Sequence, residues 1–76
     1  MMEETLLEYP VIYERTEHNW ATYSPDVPGC VATAKTREEV EAKFRSALEF
    51  HFRGLKASGE PIPLPRSQAG MVKVAD

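Results

Sequence analysis

Four side chains of this 76-residue sequence are of types that could take part in catalysis, namely Cys30, His18, His51 and Asp26. A nucleophilic cysteine needs a neighbouring base and an accessible cleft, because the thiolate is the reactive form. Cys30 instead alternates with alanines, a pattern typical of a side chain that faces a core. His51 lies within an apolar helical stripe and His18 within a polar connection. The sequence therefore predicts no catalytic residue and no enzyme activity.

Recognised metal and cofactor motifs are missing from the sequence. Two histidines and one cysteine at wide spacing match no zinc pattern, and no run of carboxylates resembles a calcium loop. The four glycines are scattered, so they form no phosphate-binding loop. The PxxP-like spacing in residues 61–65 would suit an SH3-type ligand, although a structural connection is favoured. We expect no cofactor and no metal.

Composition and length indicate one small globular domain over residues 1–76, with residues 1–5 frayed. The chain is 42% hydrophobic and 28% charged, which is too apolar for a disordered tail. So short a chain has a small core and marginal stability unless it associates with another molecule. A single cysteine fits a reducing cytosol, and neither a signal peptide nor a long apolar run is present. We expect a cytoplasmic protein without membrane contact.

The formal net charge of −3 bears on the kind of partner. Nucleic-acid binders usually carry a basic surplus, because neutralised phosphates supply most of their affinity. The acidic surplus argues against direct nucleic-acid binding and is compatible with a basic protein partner. Solubility alone accounts for this charge equally well.

The stretch from residue 20 to residue 40 organises the predicted fold. Pro25, Asp26, Pro28 and Gly29 mark a turn, with Pro28 and Gly29 suited to the two central positions of a type II turn. A strand precedes this turn over residues 20–24 and another follows it over residues 30–35. Each of the four residues has a sufficient role in the turn, so none of them requires a substrate.

A capping box at Thr36 and Glu39 predicts the start of a helix. The helix should run from residue 37 to about residue 58 and stop at Gly59. Apolar residues at three- and four-residue steps form one stripe that faces the sheet. These are Val40, Phe44, Ala47, Leu48, His51, Phe52 and Leu55. Phe50 falls outside the stripe, where it is either half-buried beside a loop or part of an interface.

The remaining elements complete an α+β fold. A first strand is predicted over residues 6–15 and is joined to the second by the polar residues 16–19, where Asn19 can take a positive φ. The three strands form an antiparallel meander with the helix packed on one face. Residues 59–70 form an extended, proline-rich connection that turns at residues 67–70, and residues 71–74 form a short fourth strand. Alternation leaves apolar groups on both faces of the first strand, so something besides the helix must cover the second face.

Three motifs in combination resemble the HicB-like antitoxin domain. They are Y-x-PDVPG-C at residues 23–30, T-x-E-E at residues 36–39 and G-E-P-I-P-L-P at residues 59–65. The resemblance covers roughly residues 7–74. It implies a partial ribonuclease-H-like fold of order β-β-β-α-β, whose last strand runs parallel beside the first. Ribonuclease activity is not implied, because the acidic metal-binding set is absent.

The resemblance also implies a role in a type II toxin–antitoxin system. A HicB-like protein binds a small, basic, mRNA-cleaving toxin of the HicA type and blocks its catalytic histidine. Many members add a C-terminal DNA-binding domain, for which this sequence leaves no room, so we expect a short, solitary form. The alternative is a homodimer or higher homo-oligomer with a structural or regulatory role and no toxin.

Aromatic side chains are the predicted contacts with a partner, because they dominate interface energies. The candidates are Tyr13 and Trp20 on the sheet and Phe50 on the helix. Burial in the core or in a homodimer is the alternative for each.

Overall fold

The structure is a computed structural model that describes residues 6–76. Within this range the order of elements is β1 (Ile12–Arg15), β2 (Trp20–Ser24), β3 (Val27–Ala34) and α1 (Arg37–Ala57). The α+β class, with a three-strand antiparallel meander followed by one helix, is confirmed for these residues. The expectation of a frayed terminus at residues 1–5 lies outside the described residues.

The strands form one sheet in the order β1-β2-β3, and both pairings are antiparallel. Strand β2 has the predicted bounds, whereas β1 begins at Ile12 rather than at residue 6. Pro10 lacks the N–H that a ladder requires, so residues 6–11 run outside the sheet. The β1–β2 connection is closed by the Thr16 N–H, which donates to the Asn19 carbonyl at 2.8 Å. Asn19 does not take a positive φ.

The predicted position of the turn between β2 and β3 was wrong. The chain reverses at Pro25 and Asp26, and β3 begins three residues earlier than predicted. Gly29 has a φ of +86°, near the value of a type II turn, but it lies within β3. Tyr23 pairs with Val31 and Ser24 pairs with Val27, so the intervening residues form a bulge. The positive φ of Gly29 therefore belongs to the bulge and not to the chain reversal.

The core lies between α1 and one face of the sheet. Val40 and Phe44 of α1 and Ala32 of β3 are buried at its centre. Partly buried side chains surround them, namely Val11, Tyr13, Trp20, Cys30, Ala34 and Leu48. The small alternate side chains of β3, Cys30, Ala32 and Ala34, face this core and allow the helix to lie close across the strand.

Both ends of α1 carry the predicted caps. Thr36 is extended at φ −125° and ψ 160°, and its hydroxyl accepts the Glu39 N–H at 3.1 Å. Among residues 6–76, the reciprocal bond from the Thr36 N–H to the Glu39 carboxylate is not formed. At the other end Gly59 has a φ of +75°, and the Glu60 N–H donates to the Leu55 carbonyl at 2.9 Å. This bond belongs to a Schellman motif.

The proline-rich connection crosses from the helix end toward the β2–β3 turn. The Tyr9 hydroxyl donates to the Pro63 carbonyl at 2.6 Å. Further along, the Asp26 carboxylate accepts the backbone N–H groups of Arg66 and Ser67. The connection is therefore attached at two points.

The predicted fourth strand over residues 71–74 was wrong for the isolated chain. Residues 60–76, all of them described, form neither helix nor strand, and the turn predicted at residues 67–70 is not formed. Met71 is 98% exposed, and Val72 and Val74 are almost as exposed. The residues after the Asp26 contact with Arg66 and Ser67 therefore lie outside the sheet.

Candidate partner-binding surface

Tyr13 lies on the helix-covered side of β1 and is engaged within the chain. Its hydroxyl donates to the Glu41 carboxylate at 2.9 Å. The guanidinium carbon of Arg37 lies 4.0 Å from the ring centroid, a cation–π geometry. Burial, and then the Glu41 contact, raise the pKa of the Tyr13 hydroxyl. Tyr13 thus links β1 to the first turns of α1.

Trp20 is half-buried and packs against the core. Its neighbour across the strand pair is Arg15, whose guanidinium carbon lies 5.9 Å from the indole centroid. Much of the apolar area of Trp20 is therefore already covered within the chain. Trp20 therefore packs against the core, which was the alternative to a partner contact for this residue.

Phe50 is 73% exposed, so the first of its two predicted positions, half-burial beside a loop, was wrong. Its side chain lies along a shallow groove between β3 and the C-terminal half of α1. The groove is lined by Cys30, Ala47, Phe50, His51, Gly54, Leu55, Ser58 and Glu60. We call this feature the Phe50 groove. It presents a large ring beside small residues, which leave room for a partner's side chain.

The structure does not gather the three predicted contact residues into one surface. Tyr13 and Trp20 belong to the core side of the sheet, and Tyr13 contacts the start of α1 at Arg37 and Glu41. Phe50 lies further along the helix, beside Cys30 of β3. Of the three, only Phe50 offers most of its side chain to a partner.

Sequence reasoning missed an apolar row on the sheet face that α1 leaves open. Ile12 pairs with Tyr23, and Tyr23 pairs with Val31, so the three side chains line up across the sheet. All three are exposed, and Val31 is 63% exposed. Alternation predicted apolar groups on both faces of the first strand, but the register that aligns Tyr23 with Val31 depends on the bulge in β3.

Asp26 has a role that its sequence neighbourhood does not reveal. Its carboxylate accepts the N–H groups of Arg66 and Ser67 at 3.0 and 2.9 Å, and the Ser67 hydroxyl at 2.7 Å. These hydrogen bonds, those of Ser67 foremost, lower the pKa of Asp26. The carboxylate is a structural anchor for the segment that follows the proline-rich connection.

The residues considered for catalysis are not arranged for it. Cys30 is partly buried, and burial raises the pKa of its thiol, which opposes formation of the thiolate. His51 packs near the ring of Phe52, while His18 lies exposed beside Glu17. Within residues 6–76, no three histidine, cysteine or acidic side chains converge on a position where a metal could bind. In the same range, no helix combines the length and the apolarity needed to cross a membrane.

These features define a small α+β domain whose exposed apolar groups suit it to binding another protein. The family model described as "HicB_like antitoxin of bacterial toxin-antitoxin system" matches residues 9–76. The chain belongs to the HicB-like antitoxin family. The resemblance seen in its turn, cap and proline-rich motifs is thereby confirmed.

Two curated relatives are similar to most of the chain. One is "Antitoxin HicB 2" of Photorhabdus laumondii, 34% identical over 62 residues, which are 82% of this chain and 45% of the relative. Another is an "Uncharacterized 14.9 kDa protein in rep-hol intergenic region" of Haemophilus phage HP1, 31% identical over 55 residues, covering 72% and 41% of the two chains. The chain thus spans less than half the length of these relatives. No solved structure matches it.

Proposed function

We propose that this chain is an antitoxin that binds a small, basic, mRNA-cleaving toxin of the HicA type and occludes its active site. The observation that carries the proposal is the match of residues 9–76 to a family of antitoxins from toxin–antitoxin systems. The formal net charge of −3 suits a basic partner, since opposite charges steer encounter and suppress wrong partners. Inhibition in this scheme is stoichiometric and needs no catalytic group of the antitoxin.

The Phe50 groove is the surface we assign to the toxin. Interface energy concentrates in a few aromatic anchors that a partner can desolvate fully. Phe50 is the most exposed aromatic residue among residues 6–76. Ala47 and Gly54 beside it let a partner approach the helix closely, and Glu60 adds a carboxylate at the rim. Tyr13 and Trp20 contribute indirectly, by holding β1 and β2 against the core.

Co-expression with the neighbouring reading frames, followed by pulldown, tests the proposal. We expect recovery of a small basic protein whose ribonuclease activity this chain suppresses. Phe50→Ala should weaken suppression strongly, by about tenfold or more in the dissociation constant, as for an aromatic hot spot. Val31→Ala is the matched control, because it removes an exposed apolar side chain from the opposite face of the sheet. If Phe50→Ala leaves suppression unchanged, the toxin binds at a surface other than the Phe50 groove.

A second candidate function is a homo-oligomeric domain with a structural or regulatory role and no toxin. The exposed row of Ile12, Tyr23 and Val31 favours it, because self-association would cover this apolar face. Co-expression without recovery of a partner, together with a stable dimer or tetramer on sizing, would select this function. In both functions we propose a cytoplasmic location and no direct contact with nucleic acid.

A further inference from the structure

Strand β3 is an outer strand of the sheet, and its free edge carries backbone groups with no neighbouring strand. The Thr16 N–H donates to the Asn19 carbonyl, which makes these two residues a hydrogen-bonded pair. Such pairs alternate with non-bonded pairs along both antiparallel registers, so the N–H and C=O groups of Ala32 point toward β2. Those of Val31 and Thr33 point to the opposite side, where the part of the chain that the structure describes has no strand.

Lys43 of α1 covers one end of this free edge. Its ammonium group donates to the Thr33 carbonyl at 2.9 Å, which agrees with a carbonyl that is turned away from β2. Lysines at sheet edges oppose pairing with other chains. Among residues 6–76, no side chain or loop engages the Val31 backbone or the Thr33 N–H in this way. The edge is therefore closed at the Thr33 carbonyl and open at Val31.

The open part of the edge runs beside the Phe50 groove. Three- and four-residue steps place Lys43, Ala47, Phe50 and Gly54 on one side of α1. The contact of Lys43 with β3 turns this side of the helix toward the free edge, and Cys30 of β3 forms the opposite wall of the groove. A strand added to β3 would therefore direct alternate side chains into the Phe50 groove and the others to the open face of the sheet.

The lining of the groove defines the chemistry of a segment that would fit there. The small residues Ala47 and Gly54 beside the Phe50 ring leave a recess for one large apolar side chain. The lining also includes the carboxylate of Glu60 and contains no lysine or arginine, so a basic side chain suits this part of the groove. At the Thr33 end, the Lys43 ammonium group disfavours a second cation. The fitting segment is extended and carries an apolar residue and a basic one on the same side.

We propose that the toxin adds an extended segment of this kind to the free edge of β3 and places its apolar side chain in the Phe50 groove. The inference rests on the proposed function and adds to it the chemistry of the segment that the toxin presents. Main-chain hydrogen bonds supply affinity in such strand addition, and the side-chain pockets supply specificity. A basic toxin can offer a cation to Glu60. Two copies of this chain joined edge to edge would instead bring together two grooves whose linings lack lysine and arginine.

Replacement of Val31 by proline tests the backbone pairing. Proline lacks the N–H, and an edge strand tolerates it where that N–H points away from the sheet. Val31→Pro should raise the dissociation constant for the basic protein recovered by co-expression about tenfold or more. Val31→Ala is the matched control, because it shortens the same side chain and keeps the N–H, and it should bind to within about twofold of the unaltered chain. Equal dissociation constants for the two variants, both shown to be folded by denaturant unfolding, would overturn the pairing.

Amide hydrogen exchange tests the same pairing in the unaltered chain, whether or not the proline variant folds. The N–H groups of Val31 and Thr33 should exchange rapidly in the free chain and become protected when the recovered basic protein is added. Inhibition of the toxin without this protection would overturn the inference and leave the proposed function standing, whereas a chain that inhibits no toxin would overturn both. Protection already present in the free chain would mean that a second copy or the chain itself covers the edge, and it would also overturn the inference.

Discussion

The carboxylate of Asp26 accepts two hydrogen bonds from Ser67, one from the hydroxyl at 2.7 Å and one from the backbone N–H at 2.9 Å. The two residues lie 41 positions apart, so these bonds join the β2–β3 turn to the chain that follows the helix. A third bond, from the Arg66 N–H, completes the set. The ionised carboxylate is the better acceptor, which makes this tie dependent on pH.

The first prediction concerns the acid sensitivity of this tie. Hydrogen bonds from Ser67 and Arg66 lower the pKa of Asp26 below its usual value of 3.8. A lowered folded pKa means that the tie stabilises the fold fully above the unfolded pKa and is lost as the pH falls through the folded pKa. In an NMR titration, the amide resonance of Ser67 should therefore move with an inflection below pH 3.8.

Two variants control this titration. Asp26→Asn should abolish the inflection at the Ser67 amide, because no ionisable group remains there. Ser67→Ala removes the hydroxyl donor and should shift the inflection toward the usual value, since one of the bonds that favour the carboxylate is gone. An inflection at or above that value in the unaltered protein would contradict the predicted direction.

The second prediction distinguishes the two members of the capping box. The Thr36 hydroxyl accepts the Glu39 N–H at 3.1 Å, so Thr36→Ala should lower the free energy of unfolding by about 1 kcal/mol. Glu39→Gln should cost less, about 0.3–1 kcal/mol, since its side chain acts only through the helix dipole. Denaturant titration measures both values. A larger loss in Glu39→Gln than in Thr36→Ala would contradict this ranking.

Local signals were sufficient to predict α1 and its caps. Thr36, Glu39 and Gly59 each act within a few residues of their own position, and the structure places the helix within one residue of the predicted bounds. Gly29 shows where such reasoning stops. A glycine at this position indicated a positive φ. Whether that φ belonged to a bulge or to a chain reversal depended on the pairing of β3 with β2.

Long-range features could not be read from the sequence. The contact between Asp26 and Ser67 joins residues 41 positions apart, and no local signal in the sequence indicates it. Phe50 was correctly placed outside the apolar stripe, yet its exposure depended on whether any loop covers that side of α1. The path of residues 60–76 is a third such feature, because three prolines favour an extended backbone but do not fix its direction.

The third prediction compares two glycines that have open space around them. Gly29 has a φ of +86° and no atom near an added Cβ, so Gly29→Ala should cost about 1–2 kcal/mol from backbone strain alone. Gly70 has equal space and no positive φ, so Gly70→Ala should leave stability nearly unchanged. Thermal unfolding of both variants tests the comparison. Equal melting temperatures would mean that the bulge adjusts to a side chain.

The fourth prediction compares two phenylalanines of the same helix. Phe44 is 3% exposed, and Phe44→Ala should cost about 3–5 kcal/mol through lost burial and a cavity. Phe50 is largely exposed, so Phe50→Ala should change the free energy of unfolding by less than about 0.5 kcal/mol. Denaturant unfolding measures both. A large loss of stability in Phe50→Ala would show that its ring is covered in solution, by another copy or by the chain itself.

The fifth prediction uses Gly54 to separate stability from binding. Gly54 lies inside α1 with no atom near an added Cβ, so Gly54→Ala should raise the free energy of unfolding by about 0.8–1 kcal/mol. Its methyl group would nevertheless fill part of the recess beside Phe50. We therefore expect a more stable protein that suppresses the proposed toxin partner less well. Denaturant titration measures the first effect and inhibition of the toxin's ribonuclease activity measures the second.

Ala57→Gly is the matched control for Gly54→Ala, because it makes the reverse exchange of alanine and glycine in the same helix. Ala57 lies in the last turn of α1 and does not line the Phe50 groove. It should lower stability and leave toxin inhibition intact. Opposite responses of stability and inhibition in Gly54→Ala, with inhibition unaffected in Ala57→Gly, would separate the groove from the general stability of the helix. Full inhibition by Gly54→Ala would mean that the toxin does not approach α1 beside Phe50.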